Sequence, residues 1–169
     1  PTLRETELGK RTVLQPQLIP LPVAVKRTAG IASNFLWDNS AYLLGIGQKG
    51  KPERSRACFA AAAALHHAVL DGVDAPAARA ILAYFDTWRP EQAAEHPALA
   101  GQMTEVAAGV NLLFRVDGQF PQEDAAVRAA WERYRGEADE GAVRMQCLVT
   151  GRQDEIAPVH PAIKGVRDA

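Results

Sequence analysis

Proline placement constrains this chain more than any other feature of its sequence. Pro16, Pro20 and Pro22 fall within seven residues, and each ring removes a backbone N–H and fixes φ. Neither a helix nor a central strand can pass through such a segment, so only short edge strands fit there. We expect such strands around residues 13–14 and 18–19.

Two later prolines stand where helices can begin. The first position of a helix has no intrahelical use for its N–H, so proline fits there. Pro52 precedes apolar residues at three- and four-residue steps, which predicts an amphipathic helix over 53–70. Asp71 and Gly72 follow it as a C-terminal cap. Pro76 in the same way opens a second helix that runs to about Trp88.

Apolar runs elsewhere predict strands. Residues 42–46 form a short apolar run typical of a buried strand, and residues 110–116 and 143–150 indicate two more. Residues 122–135 again have helical spacing. The expected class is α/β, with α+β as the alternative, and the expected fold is a mixed sheet of short strands with several amphipathic helices.

The charge of the chain is unevenly distributed. Residues 1–60 carry nine Lys and Arg against four Asp and Glu, whereas residues 61–169 carry ten against sixteen. This division into a basic and an acidic part predicts one anion-facing surface, with ordinary solvated charge as the alternative. A length of 169 residues is that of about one domain, and no apolar run approaches the roughly 18 residues of a membrane helix. Because the chain begins at Pro1, we expect a fragment of a longer protein.

Residues that usually carry catalysis or bind metal form no recognisable pattern. Cys58 and Cys147 lack the CxxC spacing of a metal site, and we expect buried thiols, a disulfide being the alternative. His66 and His67 are helical neighbours that point about 100° apart and cannot share a metal. No GxSxG or HExxH motif is present. We therefore expect no enzyme activity, no metal and no cofactor.

The glycine-rich turn at residues 45–51 has three interpretations. It matches GxGxxG, follows a predicted strand and precedes a predicted helix, which is the context of the dinucleotide fingerprint. A nucleotide-binding enzyme domain is therefore one hypothesis. The same turn also suits a basic loop that contacts nucleic-acid phosphate, or a purely structural turn.

Residues 25–45 combine cations and amides with aromatic side chains. Lys and Arg neutralise phosphate, and Asn and Gln both donate to and accept from base edges. Asp38 would repel phosphate, so we expect it to cap or to pair with a neighbouring cation, and we expect Phe35 and Trp37 in the core. Candidate nucleic-acid-binding residues in and beside this stretch are, for phosphate, Lys26, Arg27, Lys49 and Lys51 and, for groove edges, Asn34, Asn39 and Gln48.

Several segments together resemble a known family. Residues 25–31 and 34–45 resemble the large subunit of the type I-C CRISPR surveillance complex (Cascade). The resemblance covers nearly the whole chain from Lys10 onward, and further similar segments follow in the family's order. They are residues 51–54, 88–90, 95–97, 111–118, 130–134, 147–151 and 160–166. Trp37 stands where the family usually has a cysteine, so no thiol is required at that position.

The resemblance implies a non-catalytic role in antiviral defence. The chain would be a single N-terminal domain, residues 1–169, of a large subunit that recognises the protospacer-adjacent motif in duplex DNA. It would help to open the target and to recruit the helicase-nuclease. The implied partners are crRNA, target double-stranded DNA, the other Cascade backbone subunits and the CRISPR helicase-nuclease, in the prokaryotic cytoplasm and without a membrane. A protein–protein scaffold is a further alternative.

Overall fold

The computed structural model describes residues 3–8, 11–16, 18–27, 30–47, 51–138, 144–146 and 151–155. The chain divides into two compact units, Pro1–Trp131 and Glu132–Ala169. Helices and short strands occur together, which confirms the α/β class. In the described parts the strands form three antiparallel pairs, β1 with β2, β3 with β4 and β5 with β6.

The first unit begins with a hairpin. Strand β1 (Leu3–Leu8) pairs with β2 (Arg11–Pro16), so that Leu3 lies opposite Pro16. The strand predicted at residues 13–14 is confirmed as part of β2. Residues 18–19 are not a strand, because a proline follows directly and no neighbouring chain supplies a ladder.

The strand predicted at residues 42–46 is wrong. Strand β3 (Trp37–Asn39) is followed at once by helix α1 (Ser40–Leu43). The Asn39 side chain accepts a hydrogen bond from the Ala41 N–H at 3.0 Å, which caps the helix. An apolar run of this length does not distinguish a buried helical turn from a buried strand.

The two proline-led helices are confirmed. Helix α2 (Pro52–Leu70) and helix α3 (Pro76–Thr87) both begin at a proline. Gly72 follows α2 at φ +75°, the left-handed conformation that glycine adopts without strain. Two 3-10 helices come next, Pro90–Glu95 and Pro97–Leu99.

The remaining elements are short apart from one helix. Helix α4 (Met103–Ala107) leads to β4 (Asn111–Leu113), which pairs with β3, and a 3-10 helix (Pro121–Glu123) precedes α5 (Ala125–Ala138). In the second unit β5 (Arg144–Gln146) pairs with β6 (Gln153–Glu155). The strand predicted over 143–150 is present at 144–146, and residues 147–150 lie outside the described residues.

The core of the first unit is built on aromatic rings. Phe35 is fully buried, and its ring stacks on Trp131 at a centroid distance of 4.6 Å. Trp37 is half-buried and donates from Nε1 to the Pro22 carbonyl at 2.9 Å. Phe35 is therefore a core residue as expected, whereas Trp37 lies at the edge of the core and is only half-buried.

Two aromatic side chains, one in α3 and one directly after it, donate hydrogen bonds to the end of α1. The Tyr84 hydroxyl donates to the Leu43 carbonyl, and Trp88 Nε1 donates to the Leu44 carbonyl at 3.0 Å. These carbonyls lie at the end of a helix of four residues, where no further turn can satisfy them. Burial raises the pKa of Tyr84, so the hydroxyl keeps its proton for this bond.

Among the described residues, no helix has both the length and the apolar character needed to cross a bilayer. No group of three His, Cys, Asp or Glu side chains comes together there in a metal-binding arrangement. Cys58 is buried and carries a free thiol, as expected. Cys147 lies outside the described residues.

Candidate nucleic-acid interface

Arg27 is held on three sides by neighbouring groups. Its guanidinium forms an ion pair with the Asp38 carboxylate, and its Nε donates to the Ala32 carbonyl at 2.6 Å. The guanidinium also lies over the Tyr42 ring, 4.2 Å from its centroid. Only 27% of the Arg27 side chain is exposed. The charge that Arg27 offers to a ligand is therefore largely neutralised.

Asp38 organises this region from the inside. Its side chain is 1% exposed and accepts hydrogen bonds from the backbone N–H groups of Asn34 and Asn39, both at 2.8 Å. With the Arg27 pair, its carboxylate is fully used. The expectation that Asp38 pairs with a neighbouring cation is confirmed.

The two asparagines have different surroundings. Asn34 is 4% exposed, and its Oδ1 accepts a hydrogen bond from the Val25 N–H at 2.8 Å, which ties two passing segments together. Asn39 is half-buried and uses its Oδ1 to cap α1. Because Oδ1 is the atom used, the Asn39 side-chain NH2 group keeps its donors. Of the two, Asn39 is the one with an accessible amide.

The lysines that the sequence points to are solvated. Lys26 and Lys51 are both exposed, and within the described residues neither has an ion pair or a side-chain hydrogen bond. Gln48 and Lys49 lie outside the described residues. All seven residues named from the sequence stay predictions as nucleic-acid contacts.

A cavity of about 320 Å³ opens beside this cluster. Its lining includes Arg27, Gly30, Asn39, Tyr42, Arg54 and Cys58. Arg54, in the first turn of α2, was not among the residues proposed from the sequence. Its only signal there was its place in the basic stretch after the glycine-rich turn.

The Tyr42 hydroxyl lies at this cavity between backbone and thiol. It accepts a hydrogen bond from the Ala32 N–H at 3.3 Å. Burial, together with its contact to Cys58, raises the pKa of Tyr42, while the Ala32 N–H and Arg27 act in the opposite direction. The ring is therefore neutral at physiological pH and adds no negative charge to the cavity.

Two glycines of the GxGxxG match are explained by packing. A Cβ on Gly45, which has φ +72°, would lie 2.6 Å from Cγ of Pro90. A Cβ on Gly47 would lie 2.6 Å from Oγ of Ser55. Close approach of Pro90 thus requires Gly45, whereas a side chain at Gly47 would meet only the end of the Ser55 side chain, which can rotate. Packing therefore accounts for Gly45 without a nucleotide.

His66 links helix α2 to the backbone at Leu36, just before β3. It is fully buried, its Nδ1–H donates to the Ala62 carbonyl at 2.7 Å, and its Nε2 accepts from the Leu36 N–H at 3.0 Å. Leu36 has φ +66°, a left-handed conformation that a leucine rarely adopts. Burial lowers the pKa of His66 to about 4, so the ring is neutral and able to make both bonds.

The first unit is thus a mixed α/β body whose basic segment surrounds a cavity lined by two arginines. The chain matches the family described as CRISPR-associated protein (Cas_Csd1) over residues 1–169, and it belongs to that family. This membership confirms the CRISPR-associated part of the resemblance and is consistent with a role in CRISPR defence. No curated protein matches the chain.

Proposed function

We propose that the chain is the N-terminal part of the large subunit of a type I-C Cascade, which recognises the protospacer-adjacent motif in duplex DNA. In this role it is non-catalytic, helps to open the target and helps to recruit the helicase-nuclease. It works in the prokaryotic cytoplasm with crRNA and the other backbone subunits. Family membership and the resemblance of its motifs support the assignment. The observation that carries it is a cavity lined by Arg27 and Arg54, together with the exposure of Lys26 and Lys51.

The proposal assigns phosphate contacts to the exposed cations of this surface. Lys26 and Lys51 have no partner among the described residues and are therefore available to a polyanion. Each phosphate contact releases condensed counterions, so binding weakens with added salt. Such contacts orient the protein on the duplex and carry no sequence information.

Reading of the motif is assigned to the amides. Asn39 is half-buried, lines the same cavity as Arg27 and Arg54, and keeps its NH2 donors, which suits a base edge. Asn34 supports the loop from within, and its amide reaches DNA only if the segment around Val25 moves away. We therefore assign the principal edge contact to Asn39.

A panel of duplexes that differ only in the few bases beside the target tests the proposal. A wrong base pair at a read position typically costs about 1–3 kcal/mol, which is roughly a 5- to 150-fold loss of affinity. We expect duplexes with one motif to bind at least about 5-fold more tightly than duplexes with the others. Duplexes altered far from the motif are the control, and equal affinity for every motif would contradict the proposal.

Recruitment requires the assembled complex. Cascade reconstituted with the native subunit should capture the helicase-nuclease on target DNA, and a complex without the subunit should not. Equal capture by both complexes would remove recruitment from the proposed role while leaving motif reading to be judged by the duplex panel.

A further inference from the structure

We propose that the cavity beside α2 holds one phosphate group of the nucleic-acid backbone, with Arg54 as its principal ligand. This inference rests on the proposed function and adds to it a residue and a ligand group. It differs from the sequence-based expectation, which gave phosphate contacts to Lys26, Arg27, Lys49 and Lys51 and did not include Arg54.

The lining of the cavity selects for a negative charge. Two guanidinium groups and one amide reach it, and no carboxylate is among its lining residues. Asp38, the ion-pair partner of Arg27, is 1% exposed, and its oxygens are used by Arg27 and two backbone N–H groups. A ligand in the cavity therefore meets hydrogen-bond donors of positive charge without a competing acid.

Arg54 rather than Arg27 has donors to offer. Arg27 already contacts Asp38, the Ala32 carbonyl and the Tyr42 ring. Arg54 is exposed, and among the described residues its side chain donates only to the Gly30 carbonyl, at 3.5 Å, the outer limit of a hydrogen bond. No carboxylate pairs with Arg54 in the part of the chain that the structure describes.

The shape of the cavity favours phosphate over a stacked base. Its volume of about 320 Å³ is at the lower end for a small-molecule pocket. Tyr42 is 5% exposed and the Arg27 guanidinium lies over its ring, so the ring offers little surface for a base to stack on. At Gly30 an added Cβ would find no atom within 4 Å, so the cavity has an open side where a sugar–phosphate backbone can approach.

The experiment compares two arginines on the same helix. Arg54→Gln should lower duplex affinity by about 10- to 150-fold, the strength of one charge-assisted contact, and reduce the slope of log K against log salt by about 0.9. Arg56→Gln is the matched control, because Arg56 pairs with Glu91 at 3.3 Å and does not line the cavity. Arg56→Gln should leave the slope unchanged. Arg54→Lys, which keeps the charge but not the forked geometry, should retain the slope with weaker binding.

Further measurements distinguish backbone phosphate from free phosphate, and failure of the cavity assignment from failure of the proposed function. An unchanged slope in Arg54→Gln, with a reduced slope in Lys51→Gln, overturns the cavity assignment and leaves the proposed function standing. Absence of duplex binding by the native chain overturns both. Stabilisation by inorganic phosphate at constant ionic strength that depends on Arg54, with unchanged duplex binding in Arg54→Gln, assigns the cavity to free phosphate and overturns the backbone assignment.

Discussion

The most informative single residue for stability is His66, because its folded pKa lies far below its ordinary value of 6.5. In the unfolded chain the His66 imidazole is protonated below about pH 6.5, whereas in the folded protein the buried ring stays neutral down to about pH 4. The contribution of His66 is therefore complete above pH 6.5 and is lost as pH falls. We expect the free energy of unfolding to drop by about 3 kcal/mol between these values, measured by urea titration at successive pH values.

The neighbouring histidine provides the control for that pH profile. A hydrogen bond to Asp71 raises the pKa of His67, so its smaller contribution is present at low pH and lost as pH rises. His67→Gln should keep the acid-side loss of stability, whereas His66→Gln should be less stable at pH 7 and show a flatter profile. The same acid-side slope in His66→Gln would contradict the assignment.

The Arg27–Asp38 pair carries a second prediction at this level. Asp38→Ala leaves a partly buried guanidinium and two backbone N–H groups without their acceptor. Each buried donor left without a partner typically costs about 1–3 kcal/mol, and chemical denaturation would reveal the loss. Asp74→Ala, which removes an exposed partner of Arg79, is the control and should change little. Equal stability of the two variants would contradict a central role for Asp38.

The sequence could identify the types of residue at the interface but not their use. Clustered Lys, Arg and Asn indicated that residues 26–51 contain many polar and basic side chains. Whether a cation faces solvent depends on the path of distant backbone, and only that path brings Arg27 against Asp38 and Tyr42. For the same reason Arg54 was missed, since its position over Gly30 follows from the placement of α2.

Among the elements, the turn after α1 depends on glycine for two separate reasons. Gly45→Ala places a Cβ at φ +72° and against Pro90, and we expect a loss of about 2–5 kcal/mol from strain and overlap together. Gly72→Ala has a similar φ of +75° with nothing within 4 Å, so it should lose only about 1–2 kcal/mol. Thermal unfolding of the two variants, with their difference reporting the contact to Pro90, checks this. Equal losses would show that packing against Pro90 adds nothing.

Helices were predictable to a greater degree than strands. Proline at the first position and a regular apolar stripe specify α2 and α3 locally, so their bounds follow from nearby residues. Strand β3 has three residues and exists because β4 lies beside it. Since pairing across more than seventy residues leaves no local trace, the apolar run after it was assigned to the wrong kind of element.

At the scale of the whole molecule, the proposed function assigns affinity and specificity to different residues. The net charge of −1 hides a basic first third and an acidic remainder, so overall charge alone predicts no affinity for DNA. What matters is that Lys26 and Lys51 are exposed, while the half-buried Asn39 shares a cavity with Arg27 and Arg54. Cations of this kind set affinity and its salt dependence, whereas the amide sets preference among sequences.

This division of roles gives the last prediction. A Lys26→Gln, Lys51→Gln double variant removes two phosphate contacts, so the slope of log K against log salt should fall by about 1.8. All duplexes should weaken to the same extent, and the preference for one motif should persist. Asn39→Ser, which keeps a side chain able to cap α1, should instead reduce that preference with the slope unchanged. Both quantities come from one set of binding titrations across salt and sequence. If the double variant loses preference while keeping its slope, the lysines read the motif and the proposed roles are reversed.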